Sequence, residues 1–407
     1  MSMATHRKPP MAVATSPLFV AFLLLGLHST EAQIGVCYGR LGDNLPCAED
    51  VVNLYKYYNI GAMRLYEPDL PTLEALQGTN IQLMLGVRNQ DIQCIGSDQS
   101  NADDWVGTNV LPYATTIKYI AVGNEIKPND KEASWVEPAM QNILCALNAN
   151  ELGTQIKVST AIDTGLIQKS YPPSLAEFSN LTYITPIIEF LTTNDSPLLV
   201  NIEPYIAYVS DRRYIKLDYA LFKNHSITFN DTYNGVNRGY KNLFDATYDA
   251  VYIALQKVVT PRNEKDTDSL LYDVKQKKNN IKPPRPPVNS ESGWPSKGGL
   301  HHPTMMKNNG GRIMSGGGQQ LRYQTAAAAP QSEEKHDDVA TVENAKAYYT
   351  NLIKHVKEGT PLTKGQEIES YLFAMFDEDK KAGDDDSERF YGLFMPDQQP
   401  KYGHLAF

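Results

Sequence analysis

The chain has 407 residues, 42% hydrophobic and 21% charged, an ordinary globular composition. Its formal net charge of −9 argues against nucleic acid as a partner, and beyond the N-terminus no stretch reaches the ~18 apolar residues of a membrane span. A neutral polymer or a small polar substrate remains.

The N-terminus carries Arg7 and Lys8, an apolar run from Leu18 to Leu27, then small Thr30 and Ala32 around a cut before Gln33. This reads as a secretory signal peptide over 1–32 rather than a buried helix, with 33–407 as a single domain. Secretion permits disulfides among Cys37, Cys47, Cys94 and Cys145, but a chain this long does not need them, and buried free thiols fit equally. No Cys-x-x-Cys occurs and the His are scattered, so neither a metal nor a cofactor is expected. Sequons stand at Asn180, Asn194, Asn224 and Asn230; Asn194 is the weakest, because Pro197 follows its Ser196.

From there strands and helices alternate. IGVCY (34–38) reads as a strand, and NLPCAEDVVNLYKYY as a helix capped by Asn44, with Pro46 in its first turn and Val51, Leu54, Tyr55 and Tyr58 on one face. Further strands follow at 62–66, 81–87, 117–123, 156–161 and 197–202. A helix at 242–258 repeats Phe244, Tyr248, Val251, Leu255 and Val258 at helical spacing. Another carries Val342, Ala345, Tyr349, Leu352 and Val356 before a last strand within 368–376. Near-continuous apolar strands between helices mean a parallel sheet covered on its outer side. Seven clear strands plus a weak one before Glu291 fit an α/β fold of the (β/α)8 TIM-barrel type. The alternative, a doubly wound open sheet, lacks its Gly-x-Gly-x-x-Gly turn after the first strand. Two stretches interrupt the rhythm. Residues 261–287 are charged and Pro-rich, and 300–338 are of low complexity; both are expected to be disordered surface insertions.

In such a barrel the active site gathers at the C-terminal strand ends. YIAVGNE ends the fourth strand on Asn124 and Glu125, and SESGWPS puts Glu291 at the end of the seventh. Alone, Glu125 reads as a helix-start carboxylate and Glu291 as a solvated loop residue. Together, facing one another across the barrel, they read as the two carboxyls of a glycoside hydrolase. A separation of about 5–5.5 Å then means retention of anomeric configuration and ~6.5–9.5 Å inversion. Asn124 is placed to bind a sugar hydroxyl, and Trp294 to stack on a sugar ring.

IGVCYGRLGDNLP, LMLGV, YIAVGNE, QNILCAL, KVSTAIDTGL, SPLLVNI, GYKNLFDA, SESGWPS, YLFAMFDE and YGLFMPDQQPKY together resemble the plant endo-β-1,3-glucanases of glycoside hydrolase family 17. The likeness spans nearly all of 34–403 outside the two insertions. It implies a retaining barrel hydrolase of internal β-1,3-glucosidic bonds in plant or fungal walls, with Glu125 as proton donor and base and Glu291 as nucleophile. It also implies that Tyr66, Glu378 and Lys381 belong to the substrate cleft. Two departures bear on activity. NIEPY puts Glu203 where the family usually has Tyr, and PPRPPVN puts prolines where the strand before Glu291 needs amides, so either that strand is truncated or the sequence carries an unspliced or alternative segment. These departures keep open a wall-glucan-binding or stress protein with impaired turnover, and a hydrolase of mixed-linkage glucan is the other alternative. The partner expected is a β-glucan, with no nucleic acid and no membrane. The molecule is expected to be a monomer secreted to the apoplast or cell wall.

Overall fold

A computed structural model describes residues 34–259, 283–299, 339–382 and 385–407. The expected signal peptide, all of 300–338 and most of 261–287 lie outside the described residues.

The expected strands form, with somewhat different ends: β1 (Ile34–Cys37), β2 (Ala62–Leu65), β3 (Gln82–Val87), β4 (Ile117–Asn124), β5 (Lys157–Asp163), β6 (Leu199–Asn201), β7 (Val288–Ser292) and β8 (Ser370–Leu372). They close a parallel barrel in the order β1-β8-β7-β6-β5-β4-β3-β2, the α/β architecture read from the alternation. Every residue of β1, β2 and β7 is buried, as expected of strands covered by helices outside and by one another's side chains inside. One expectation needs correcting. On the shorter way round the barrel, β5 and β6 lie between β4 and β7, so these two strands are not diametrically opposed.

The prolines before Glu291 do not break the barrel. Residues 283–287 run outside any strand, and β7 begins at Val288, directly after Pro287. The ladder starts where amides resume: Val288 N–H donates to Leu198 O at 2.9 Å and Asn289 N–H to Glu369 O at 3.0 Å. Tyr248 holds the last proline, its hydroxyl donating to Pro287 O at 2.8 Å. The strand is short but complete where it must present Glu291.

Three helices illustrate the outer layer. In α1 (Ala48–Tyr57) the buried residues are Val51, Val52, Leu54 and Tyr55. It starts later than expected: Cys47 occupies the N-cap without a side-chain bond, so neither the Asn44 cap nor Pro46 belongs to the helix. In α2 (Leu243–Val259), Phe244, Tyr248, Val251 and Leu255 are buried, each fully buried large side chain contributing roughly 1.5–3 kcal/mol. In α3 (Val342–His355), Ala345, Tyr349 and Leu352 face the core, while Val342 is exposed and Val356 falls just past the end. An unforeseen hairpin pairs Phe229–Tyr233 with Val236–Tyr240 around Asn234 and Gly235. Both turn residues have positive φ (52° and 75°), which Asn-Gly supplies in a two-residue hairpin turn. All four Cys are free; Cys37 is buried and the others exposed.

Candidate active site

Four strand ends build one hydrogen-bonded cluster. β2 supplies Arg64, β4 Asn124 and then Glu125, β6 Asn201, and β7 Ser290 and Glu291. Arg64 is 1% exposed, and an unpaired cation so deep would be prohibitive. Its Nη1 donates to Glu291 Oε1 at 2.7 Å, Asn201 Oδ1 at 3.1 Å and Ser290 O at 2.9 Å, and its Nη2 to Asn124 Oδ1 at 2.8 Å. The planar guanidinium thus ties three strand ends together, a geometry a lysine could not reproduce.

Asn201 is fully buried between the two carboxyls. Its Nδ2 donates to Glu125 Oε1 at 2.9 Å, to Glu291 Oε1 at 3.0 Å and to Asn124 Oδ1 at 3.0 Å, while its Oδ1 accepts from Ser290 Oγ at 2.7 Å. Two oxygens bonded to one nitrogen at 2.9 and 3.0 Å are at most about 5.9 Å apart. Contacts of both carboxyls with one nitrogen hold the pair close together, as the ~5–5.5 Å spacing of a retaining pair requires.

The backbone around Glu125 is shaped for this. Gly123 has φ 77°, and a Cβ there would come within 2.6 Å of Ile92. Glu125 itself has φ 57°, a left-handed conformation that costs a non-glycine residue on the order of 1 kcal/mol. Asn89 clamps the turn, accepting from Asn124 N–H at 2.8 Å and donating to Asn124 O at 2.9 Å.

The environments of the carboxyls differ. Glu291 is 7% exposed; burial pushes its carboxyl up, the Arg64 guanidinium opposes that, and the charge of Glu125 adds to the rise. Glu125 is half-buried and open to the cleft. Tyr66 lies under Arg64, with the guanidinium carbon 4.7 Å from the ring centroid. Glu378 is buried at the rim, its Oε1 accepting from Leu41 N–H at 2.8 Å, and burial raises its carboxyl. Lys381 pairs with Glu388 at 2.9 Å rather than with Glu378, and its Nζ lies 4.2 Å from the Phe373 ring centroid. A cavity of about 620 Å³ is lined by Tyr66, Asn124, Glu125, Glu291, Glu378 and Lys381, a size suited to a sugar unit or more. The structure therefore brings together six of the seven residues expected at the site.

Trp294 is the exception and a correction. It is fully buried: its Nε1–H donates to Val339 O at 2.9 Å, and its ring packs on Tyr205 (centroids 5.2 Å apart) and Tyr348 (5.7 Å). A ring enclosed on all sides has no face for a sugar; it anchors the loop after Glu291 instead. Sequence reasoning missed Arg64, Asn201 and Asn89. The available signals were an arginine inside the apolar strand AMRL, and a second strand, LVN, ending on an asparagine as the fourth does.

The model of the glycosyl hydrolases family 17 matches residues 34–262 and 332–407. Glu291 falls between the matched stretches, so its place rests on the barrel geometry above. A glucan endo-1,3-beta-glucosidase of Vitis vinifera is 42% identical, with 98% of each chain covered. Among solved structures, a beta-1,3-glucanase and allergen of Cryptomeria japonica pollen is 38% identical at a TM-score of 0.72, covering 92% of this chain and 99% of that one. One of two plant beta-glucan endohydrolases with distinct substrate specificities is 32% identical at a TM-score of 0.71, covering 91% and 99%.

Proposed function

The chain belongs to the glycosyl hydrolases of family 17, and from that premise we propose that it hydrolyses internal β-1,3-glucosidic bonds of β-glucans with retention. The observation that supports this most strongly is the single Asn201 nitrogen bonded to both Glu125 and Glu291. A pair held this close favours direct attack of one carboxylate on the anomeric carbon over attack by a water placed between base and sugar.

Glu291 takes that role because Arg64, in contact with it, favours the ionised carboxylate a nucleophile needs. Its oxygen forms the sugar ester while Glu125 gives a proton to the departing glycosidic oxygen. Glu125, on the open side of the cleft, then takes a proton from the water that cleaves the ester. Asn124, with its Oδ1 occupied by Arg64 and Asn201, keeps its Nδ2 as a donor for a sugar hydroxyl. Tyr66, Glu378 and Lys381 line the same cleft. One chain supplies every residue, so a monomer suffices. The enzyme is extracellular or vacuolar, and a signal peptide over 1–32 would put it on the secretory route that leads to either.

The test is release of reducing ends from a soluble β-1,3-glucan, with mixed-linkage β-glucan as comparison and the anomer of the first product read by proton NMR. We expect β-anomer first and faster attack on the β-1,3-glucan. A first product of α-configuration would sink the retaining assignment, and no release at all would favour a binding protein. Glu125→Ala should lose glucan turnover but regain activity with azide on a substrate carrying a good leaving group, giving the β-glucosyl azide. An α-azide would remove Glu125 from the acid/base role.

A further inference from the structure

A further carboxyl, that of Glu203, lies in the cleft between the catalytic pair and an adjoining cavity. Glu203 follows Asn201 by two residues, the spacing that returns a side chain to the same side of an extended chain. It occupies the N-cap of the short helix Pro204–Ser210, yet its side chain makes no capping bond. It forms no ion pair among the described residues. Instead it lines the cavity that holds Glu125 and Glu291 and also an adjoining cavity of about 580 Å³, the two meeting at Glu125, Glu203 and Ile206. A glucan chain laid from one cavity into the other would run past its carboxyl.

We propose that Glu203 is a substrate-binding residue that works as the neutral acid, donating its O–H to a glucosyl hydroxyl where the two cavities meet. The inference rests on the β-glucan reading above and adds a pH gate to it.

The charged and titratable groups that face Glu203 are Glu125 from the end of β4, Glu291 from β7, and Lys381 and Glu388 from the segment after β8. Tyr348 and Tyr391 also feel its charge. Arg64 is already taken by Glu291, and Lys381 by Glu388. Glu203 is left with no cation of its own. Burial, then the charges of Glu125 and Glu291, hold its carboxyl well above the usual range. A neutral carboxyl can both donate to and accept from a sugar, whereas the ionised form only accepts. A sugar ring laid over an unpaired carboxylate would also strip its hydration without compensation. Binding therefore favours the protonated form and must weaken as pH rises through its titration.

The test uses Glu291→Gln, which silences turnover, and measures the affinity for a β-1,3-linked glucose pentasaccharide by calorimetry from about pH 5 to about pH 9. The Kd should rise about tenfold across that range, the scale of one lost hydrogen bond. Adding Glu203→Leu should weaken binding about tenfold at the acid end and flatten the profile. Adding Glu203→Gln should recover most of that loss, because the amide restores a donor, while the profile stays flat. Three results overturn the proposal: a leucine variant that binds as tightly as its parent, a glutamine variant that keeps the pH dependence, or no pentasaccharide binding at any pH. The hydrolase reading fails separately, by absence of glucan turnover in the unmutated chain.

Discussion

Glu291→Gln is expected to lower kcat on soluble β-1,3-glucan by about four to six orders of magnitude while leaving the barrel folded. Glutamine keeps the shape of the side chain and an oxygen that can still accept from Arg64 and Asn201, the two contacts now made by Oε1 at 2.7 and 3.0 Å. It cannot form and release a sugar ester. Stability should fall by about 3–5 kcal/mol, because the buried guanidinium keeps its hydrogen bonds but loses its anion, a drop of several degrees or more in Tm. The check is turnover of purified variant beside a thermal melt. A folded variant that keeps even a hundredth of the parent rate would remove Glu291 from the nucleophile's place.

That outcome would test a role proposed from nine letters, SESGWPS with the two residues before it, and the place of that carboxylate at a strand end has a physical signal in the sequence. Strand ends are where a parallel barrel puts its chemistry, and a carboxylate ending an apolar run is visible without any structure. Asn124, Glu125 and Glu291 were legible on that ground. Trp294, in the same motif, was not. A tryptophan beside a cleft and one beneath it have the same sequence context, and which it is depends on distant rings. Tyr205 follows β6 and Tyr348 belongs to α3, and both close over the indole. Arg64 was visible but unread: an arginine in a four-residue apolar strand is a buried cation seeking an anion, and its partner lies 227 residues away. The prolines before β7 signal a damaged strand in the sequence, yet β7 forms from Val288 to Ser292. A short barrel strand needs only the amides it uses, and these begin at Val288. The hairpin around Asn234–Gly235 had a clear turn signal, but its flanks carry little apolar alternation and escaped notice.

Arg64→Met is the second large effect expected, and it differs from the first in how it depends on pH. Arg64 is the cation in contact with Glu291, and burial and the charge of Glu125 already push that carboxyl above its usual range against it. With the guanidinium gone, both remaining influences act in one direction. The nucleophile then holds its proton to higher pH, so the acid limb of kcat/KM moves upward and activity at the parent optimum falls by about a thousandfold or more. Stability follows the same sign. A carboxyl whose affinity for protons is higher in the folded than in the unfolded state stabilises the fold at low pH, and that contribution is lost as pH rises through the folded-state titration. The variant should therefore melt closest to the parent under acid conditions and fall furthest behind at alkaline pH, where a buried, unpaired charge costs about 3–5 kcal/mol. Arg64→Lys separates charge from geometry. One ammonium can reach Glu291, but it cannot also reach Asn124, Asn201 and Ser290, so the acid limb should return most of the way while the rate does not. Rates and melts of the three proteins across pH decide the matter. An acid limb unmoved in the methionine variant would mean that Arg64 holds the strand ends together without setting the charge of Glu291.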